Sequence, residues 1–113
     1  MYSFIKGQPS LYHIDALEDC ELLLIEKDQW EKLFEKVPKF ERFFRMLLQN
    51  AFISMQRRIA ENMSLSAEER YTNFLQRYPQ FEQRLPQRQI ASFLGITPES
   101  LSRIRKNRIK KIV

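Results

Sequence analysis

Only two glycines occur in 113 residues, with five prolines and few obvious hairpin turns between them. That scarcity argues against an all-β architecture and for a mainly α chain. Cys20 is the only cysteine, so an intramolecular disulfide, a cysteine-based zinc site and a four-cysteine iron–sulfur cluster are all excluded. Residence inside the cell, in the cytoplasm, is the natural expectation. No stretch approaches the roughly 20 uninterrupted apolar residues of a membrane helix, so no membrane partner is expected. No basic leader precedes a long apolar run, which argues against a signal peptide. Phosphate-cradling glycine loops, dinucleotide fingerprints and nucleophile–base pairs are missing too, and neither an enzyme nor a cofactor is expected.

Acids are missing from one place in particular. Residues 1–36 carry four lysines against eight acids, whereas residues 37–113 carry fifteen lysines and arginines against six. From Leu101 onward there are six cations, Arg103, Arg105, Lys106, Arg108, Lys110 and Lys111, and no acid. The net charge of +5 is therefore concentrated towards the C-terminus, which suits an anionic partner.

Along the chain, Tyr12, Ile14 and Ala16 alternate with His13 and Asp15, the period of a half-buried strand. "LEDC" (17–20) supplies a turn and "ELLLIE" (21–26) a second strand, with Cys20 expected as a small buried residue and His13 on the strand surface. Two strands alone make no stable sheet, so this hairpin needs partners. Asp28 and Glu31 form a capping-box pattern at the start of a helix, and Pro38 ends it and opens the next.

Residues 39–63 contain neither glycine nor proline and predict a helix of roughly 37 Å. Phe40, Phe44, Leu47, Ala51, Ser54 and Arg58 trace one seam, flanked by Phe43, Leu48, Phe52, Met55 and Ile59. So broad an apolar face suits either a buried central helix or a helix that pairs with its own copy. The shortness of the chain favours the homodimer, with Phe40, Phe44, Leu47, Leu48, Ala51 and Met55 at the interface. Ser66 and Glu69 give a second capping box, Pro79 closes that helix, and "QFEQRL" connects to Pro86.

Residues 86–106 read as helix–turn–helix. Ile90, Ala91 and Leu94 face inward from the first helix, Gly95 supplies a left-handed turn, and Ile96 plugs the corner. Thr97 caps the second helix, Pro98 occupies its first turn, and Leu101 and Ile104 face inward. The outer face then carries Glu99, Ser102 and Arg103 near the N-terminus, the end by which a recognition helix enters the major groove. Arginine can pair with guanine O6 and N7, and glutamate can accept from cytosine N4. Double-stranded DNA is the expected partner, with Glu99, Ser102 and Arg103 contacting bases and Arg88, Thr97, Arg105, Lys106 and Arg108 contacting phosphates.

The segments "ALEDCELLLIEKDQWEKLFEKVP", "LSAEERY" and "LPQRQIASFLGITPESLSRIRK" resemble the Crp–Fnr family of bacterial transcription regulators. The resemblance covers nearly the whole chain in family order. It implies three parts: residues 1–37 as the C-terminal remnant of a cyclic-nucleotide-binding-like β-roll, 38–63 as a long dimerisation helix, and 64–113 as a winged-helix-like helix–turn–helix domain. The family's E-x-x-S-R motif, whose Glu, Ser and Arg contact bases, stands here at Glu99, Ser102 and Arg103.

Two departures qualify the resemblance. The stretch before the first short helix is far shorter than a β-roll, as in a fragment or a truncated gene product. Ser10-Leu11 falls where nucleotide-binding members carry an arginine beside Ser or Thr, so no response to cyclic nucleotide is expected. The function implied is a homodimeric, sequence-specific transcription regulator on a palindromic site, with RNA polymerase as a further partner. The alternative is a truncated dimerisation module that modulates full-length relatives without binding DNA.

Overall fold

The computed structural model describes residues 1–112. Seven helices succeed one another along these residues: α1 (Tyr2–Lys6), α2 (Lys27–Lys36), α3 (Pro38–Ser64), α4 (Ala67–Arg77), α5 (Phe81–Arg84), α6 (Gln87–Leu94) and α7 (Pro98–Ile112). The mainly α class follows directly. The chain separates into two compact units, Met1–Phe52 and the part from Ile53 onward, and the division falls inside α3.

In the first unit the expected strands over 10–26 do not form, and no strand occurs among the described residues. Every residue from Gly7 to Glu26 is exposed, and Leu23 reaches 102% exposure. The physical reason is the one that makes an isolated hairpin marginal: two strands have no sheet to extend and no layer on which to bury Ile14 or Leu22–Leu24. Cys20 is likewise exposed rather than buried, its thiol donating to the Glu18 carbonyl at 3.1 Å.

The N-terminus of α2 also differs from expectation. Glu26, in extended conformation, is the N-cap and makes no side-chain cap bond, so Asp28 falls within the first turn. There its charge faces the positive end of the helix instead of closing a capping box. Pro38 does open α3, after Val37 ends α2 in extended conformation.

What holds the first unit together is a set of rings. Trp30 meets Phe4, Phe34 and Phe44 edge-on, with centroids 5.3, 4.7 and 5.1 Å away, and Phe34 meets Phe40 at 5.1 Å. Edge-to-face geometry places the positive rim of one ring on the negative face of the next. The cluster is only half-buried, and no residue of this unit is fully buried.

The second unit has a closed core. Tyr71 and Phe74 of α4, Ile90, Ala91 and Leu94 of α6, and Leu101 of α7 are all buried. Leu75, Tyr78, Phe81, Leu85, Ile96 and Ile104 pack around them. The capping box at α4 is complete: the Ser66 N–H donates to Glu69 Oε2 at 2.7 Å, and the Glu69 N–H donates to Ser66 Oγ at 3.2 Å. "QFEQRL" is more ordered than a connector, because Tyr78 and Phe81 stack at 5.6 Å and the short helix α5 forms over Phe81–Arg84. The expected wing is not found among the described residues. The segment between α4 and α6 is taken up by α5, and α7 stays helical to Ile112.

Two features of this unit lend themselves to measurement. Gly95 has φ 69 and ψ 32, and a Cβ there would meet no heavy atom within 4 Å. The strain of Gly95→Ala is therefore confined to the backbone and should cost about 1–2 kcal/mol in urea unfolding of the full chain. Gly95→Asn should recover part of that loss, because asparagine tolerates the left-handed region.

The second feature is the Glu61–Arg77 ion pair between α3 and α4, in which Arg77 Nη1 also donates to Glu61 Oε2 at 3.2 Å. The hydrogen bond from Arg77 holds the Glu61 carboxyl below its ordinary value, against a smaller opposing effect of burial. A lowered acid pKa adds stability that is present above the unfolded-state value and is lost as pH falls through the folded one. Glu61→Gln should remove this acid-sensitive component, so its stability should decline less than wild type between neutral pH and the region below the carboxylate range.

Candidate nucleic-acid interface

The turn between α6 and α7 is built as the sequence pattern requires. The Gly95 N–H donates to the Ser92 carbonyl at 3.1 Å and the Ile96 N–H to the Ala91 carbonyl at 3.0 Å. This pair of bonds is the Schellman arrangement, which needs a left-handed residue at the position Gly95 occupies. Ala91 is fully buried, so its small side chain lets α6 and α7 approach closely. Thr97 then caps α7, its Oγ1 accepting from the Ser100 N–H at 3.1 Å. Across the turn, Gln87 Nε2 donates to the Pro98 carbonyl at 3.1 Å.

Leu101 is fully buried, and this fixes the rotation of α7 about its axis. At 3.6 residues per turn, Arg105, Arg108 and Ile112 lie on the same side as Leu101. Glu99, Arg103, Lys106 and Lys110 lie on the opposite side, one above another. All four of these outward residues are exposed. Glu99 and Arg103 therefore stand where the helix–turn–helix reading places base contacts. Arg103 Nη2 donates to Ser100 Oγ at 3.0 Å. Ser102 is half-buried at the edge of the outer face.

The expected phosphate set divides. Arg88 on α6 and Lys106 on α7 are exposed. The Thr97 hydroxyl is engaged with Ser100, which accepts from it at 3.0 Å while donating its N–H in return. Arg105 and Arg108 turn back towards α4. Arg105 Nε donates to the Tyr71 hydroxyl at 3.0 Å, and its Nη1 donates to Gln87 Oε1 at 3.3 Å. Arg108 Nη1 donates to Thr72 Oγ1 at 2.8 Å. Both guanidinium carbons lie 5.8 Å from the Tyr71 ring centre. Their position on the Leu101 side of the helix is the reason: a guanidinium there meets protein before it meets solvent.

Tyr71 anchors this network. Its ring is 1% exposed, and its hydroxyl donates to Glu82 while accepting from Arg105. Burial first, and then the hydrogen bond to Glu82, raises the phenol pKa above its ordinary value, with Arg105 opposing. The phenol thus stays neutral and remains a donor. Lys111 reaches Glu68 at 3.0 Å, a further link between the end of α7 and α4.

Lys110 is a cation that the helix–turn–helix reading of the sequence did not assign to the site. Its spacing of seven residues from Arg103 carries the signal, once Leu101 is known to point inward. Among the described residues no three His, Cys, Asp or Glu side chains converge as metal ligands would. No described helix is long and apolar enough to cross a membrane.

For the proposed dimer face, Phe40 and Phe44 are half-buried in their own chain's ring cluster, at Phe34 and Trp30. Leu47, Leu48, Ala51 and Met55 are exposed. Comparison with protein-family models, curated proteins and solved structures returns no match to this chain.

The division of the α7 cations has a direct consequence. Arg105→Ala should destabilise the full chain by about 1.5–3 kcal/mol, the range for hydrogen bonds to charged groups, in chemical unfolding. Lys106→Ala should stay within about 0.5 kcal/mol of wild type in the same measurement.

Proposed function

We propose that this chain is a sequence-specific DNA-binding transcription regulator that acts as a homodimer on a palindromic site, a regulator of the Crp–Fnr type. The observation that carries the reading is the exposed outer face of α7. Glu99, Arg103, Lys106 and Lys110 are aligned on it, while the opposite face is held by Leu101, Arg105 and Arg108. Such a face can enter a major groove by its N-terminal end, with Arg103 on a guanine, Glu99 on a cytosine amino group and Ser102 at the groove edge. Lys106, Lys110 and Arg88 supply charge to the flanking phosphates. These contacts release counterions and make affinity salt-dependent.

The apolar surface of α3 supports pairing with a second copy. Phe43, Leu47, Leu48, Phe52, Met55 and Ile59 are large, apolar and exposed along one helix. That much contiguous apolar surface is unusual on a monomer. Pairing through α3 would present two recognition helices to half-sites one DNA turn apart, roughly 34 Å. A regulator of this kind would work in the bacterial cytoplasm and answer to RNA polymerase, and no cyclic nucleotide is needed.

Selection of bound duplexes from random DNA, followed by titration, tests the reading. Arg103→Ala should lose about 1–3 kcal/mol on the selected sequence and relax preference at one base pair of each half-site. Lys106→Ala should weaken all sequences alike and reduce the salt slope by about one per protomer. Unchanged affinity and preference in Arg103→Ala would overturn the assignment.

A further inference from the structure

A helix leaves its last four carbonyls without partners of its own. In α6 these are the carbonyls of Ala91, Ser92, Phe93 and Leu94, and all four are accounted for. The Ile96 and Gly95 N–H groups take the first two. The other two accept from arginines of other helices. Arg58 Nη2 on α3 donates to the Phe93 carbonyl at 2.9 Å, and Arg70 Nε on α4 donates to the Leu94 carbonyl at 3.2 Å.

Each arginine makes a second contact that fixes its direction. The Arg58 guanidinium lies over the Phe93 ring, 4.3 Å from its centre. Arg70 Nη1 donates to the Leu65 carbonyl at 2.8 Å, at the end of α3. Both positive charges also sit at the negative end of the α6 dipole. A lysine could not replace Arg70, because one ammonium on a flexible stem lacks the rigid fork that serves two separate carbonyls.

These bonds do not build the reading head itself, whose core is Ile90, Ala91, Leu94 and Leu101. They join it to the last turns of α3, which belong to the same compact unit. The Glu61–Arg77 pair adds a second link between α3 and α4.

We propose that Arg58 and Arg70 are positioning residues that determine the half-site spacing this protein accepts. By fixing the C-terminal end of α6 to α4 and to the last turns of α3, they hold the outer face of α7 at one distance and angle from the part of the pairing helix in their own unit, the part that carries Met55 and Ile59. The inference rests on the reading of the chain as a dimeric DNA-binding regulator. Two half-sites are then bound together only when their separation matches that fixed geometry, and binding at one raises the effective concentration at the other.

The test uses the full-length chain, wild type and the Arg58→Ala, Arg70→Lys double variant. Each is titrated by fluorescence anisotropy against the selected duplex, against duplexes whose half-sites are moved apart or together by one and two base pairs, and against a single half-site. Wild type should prefer the best spacing over a two-base-pair change by roughly tenfold, within the usual range for coupled sites. The double variant should keep single-half-site affinity within about twofold, while its spacing preference flattens to about twofold.

A double variant that retains the wild-type spacing profile overturns the proposal and leaves the DNA-binding reading standing. A variant that loses half-site binding together with its folded signal in circular dichroism also overturns it, because the arginines are then structural supports of the head. If wild type itself shows no sequence preference, the functional reading fails, and this proposal fails with it.

Discussion

The left-handed turn at Gly95 is the constraint on which the second unit depends. It ends α6 with two backbone hydrogen bonds, to Ala91 and Ser92, and redirects the chain so that Thr97 can cap α7 three residues before Ser100. Because the turn is tight, Ala91 and Leu101 are pressed into one core with Ile90 and Leu94, and both are 0% exposed. Once Leu101 is fixed inward, the rotation of α7 has no freedom left. The identity of every outward residue on that helix follows from a single buried side chain.

Cations on α7 consequently have two different jobs, although the sequence shows them as one run. Arg105 and Arg108 bind the helix to α4 through Tyr71, Gln87 and Thr72. Burial of Tyr71 makes this network favourable, since a phenol in an apolar site needs partners for its hydroxyl, and Glu82 and Arg105 provide both an acceptor and a donor. Arg103, Lys106 and Lys110 are left outward, with no carboxylate of α7 near them except Glu99 in the first turn. The positive charge available to an anionic partner is smaller than the residue count implies, and it is better aligned.

The first unit is stabilised differently. Its rings meet edge-on in a half-buried cluster, and the buried Trp30 Nε1–H has no acceptor among the described residues. A unit with no fully buried residue and a long exposed segment gains little from burial and must oppose the same chain entropy as any other. The exposed apolar positions of α3 and of residues 11–25 are surface that further chain, or a second copy, would cover at a gain.

Much of the helical skeleton was legible in the sequence, because local chemistry dictates it. Pro38 opens α3, Ser66 and Glu69 cap α4, and Gly95, Thr97 and Pro98 define the turn, each through groups within a few residues of one another. The inward set of Ile90, Ala91, Leu94 and Leu101 was readable for the same reason, as helical spacing on either side of a glycine. The alternating pattern over 10–26 was misleading, because alternation only expresses a preference for a strand, and a strand exists only when a neighbour supplies its hydrogen bonds. Asp28 misled similarly, since the helix can begin two residues earlier when an extended Glu26 precedes it.

Tertiary structure alone decided which arginines are free. Arg58, Arg70, Arg105 and Arg108 look like surface cations in one dimension. Their partners are 18 to 36 residues away in most of their bonds, at Phe93, Leu94, Tyr71, Gln87 and Thr72. A long, flexible, charged side chain takes whichever acceptor the fold brings within reach, and sequence spacing holds no record of that. The sequence determined that a helix–turn–helix would form and which face would be its core; the packing of α3 and α4 against it determined which charges remained for anything else.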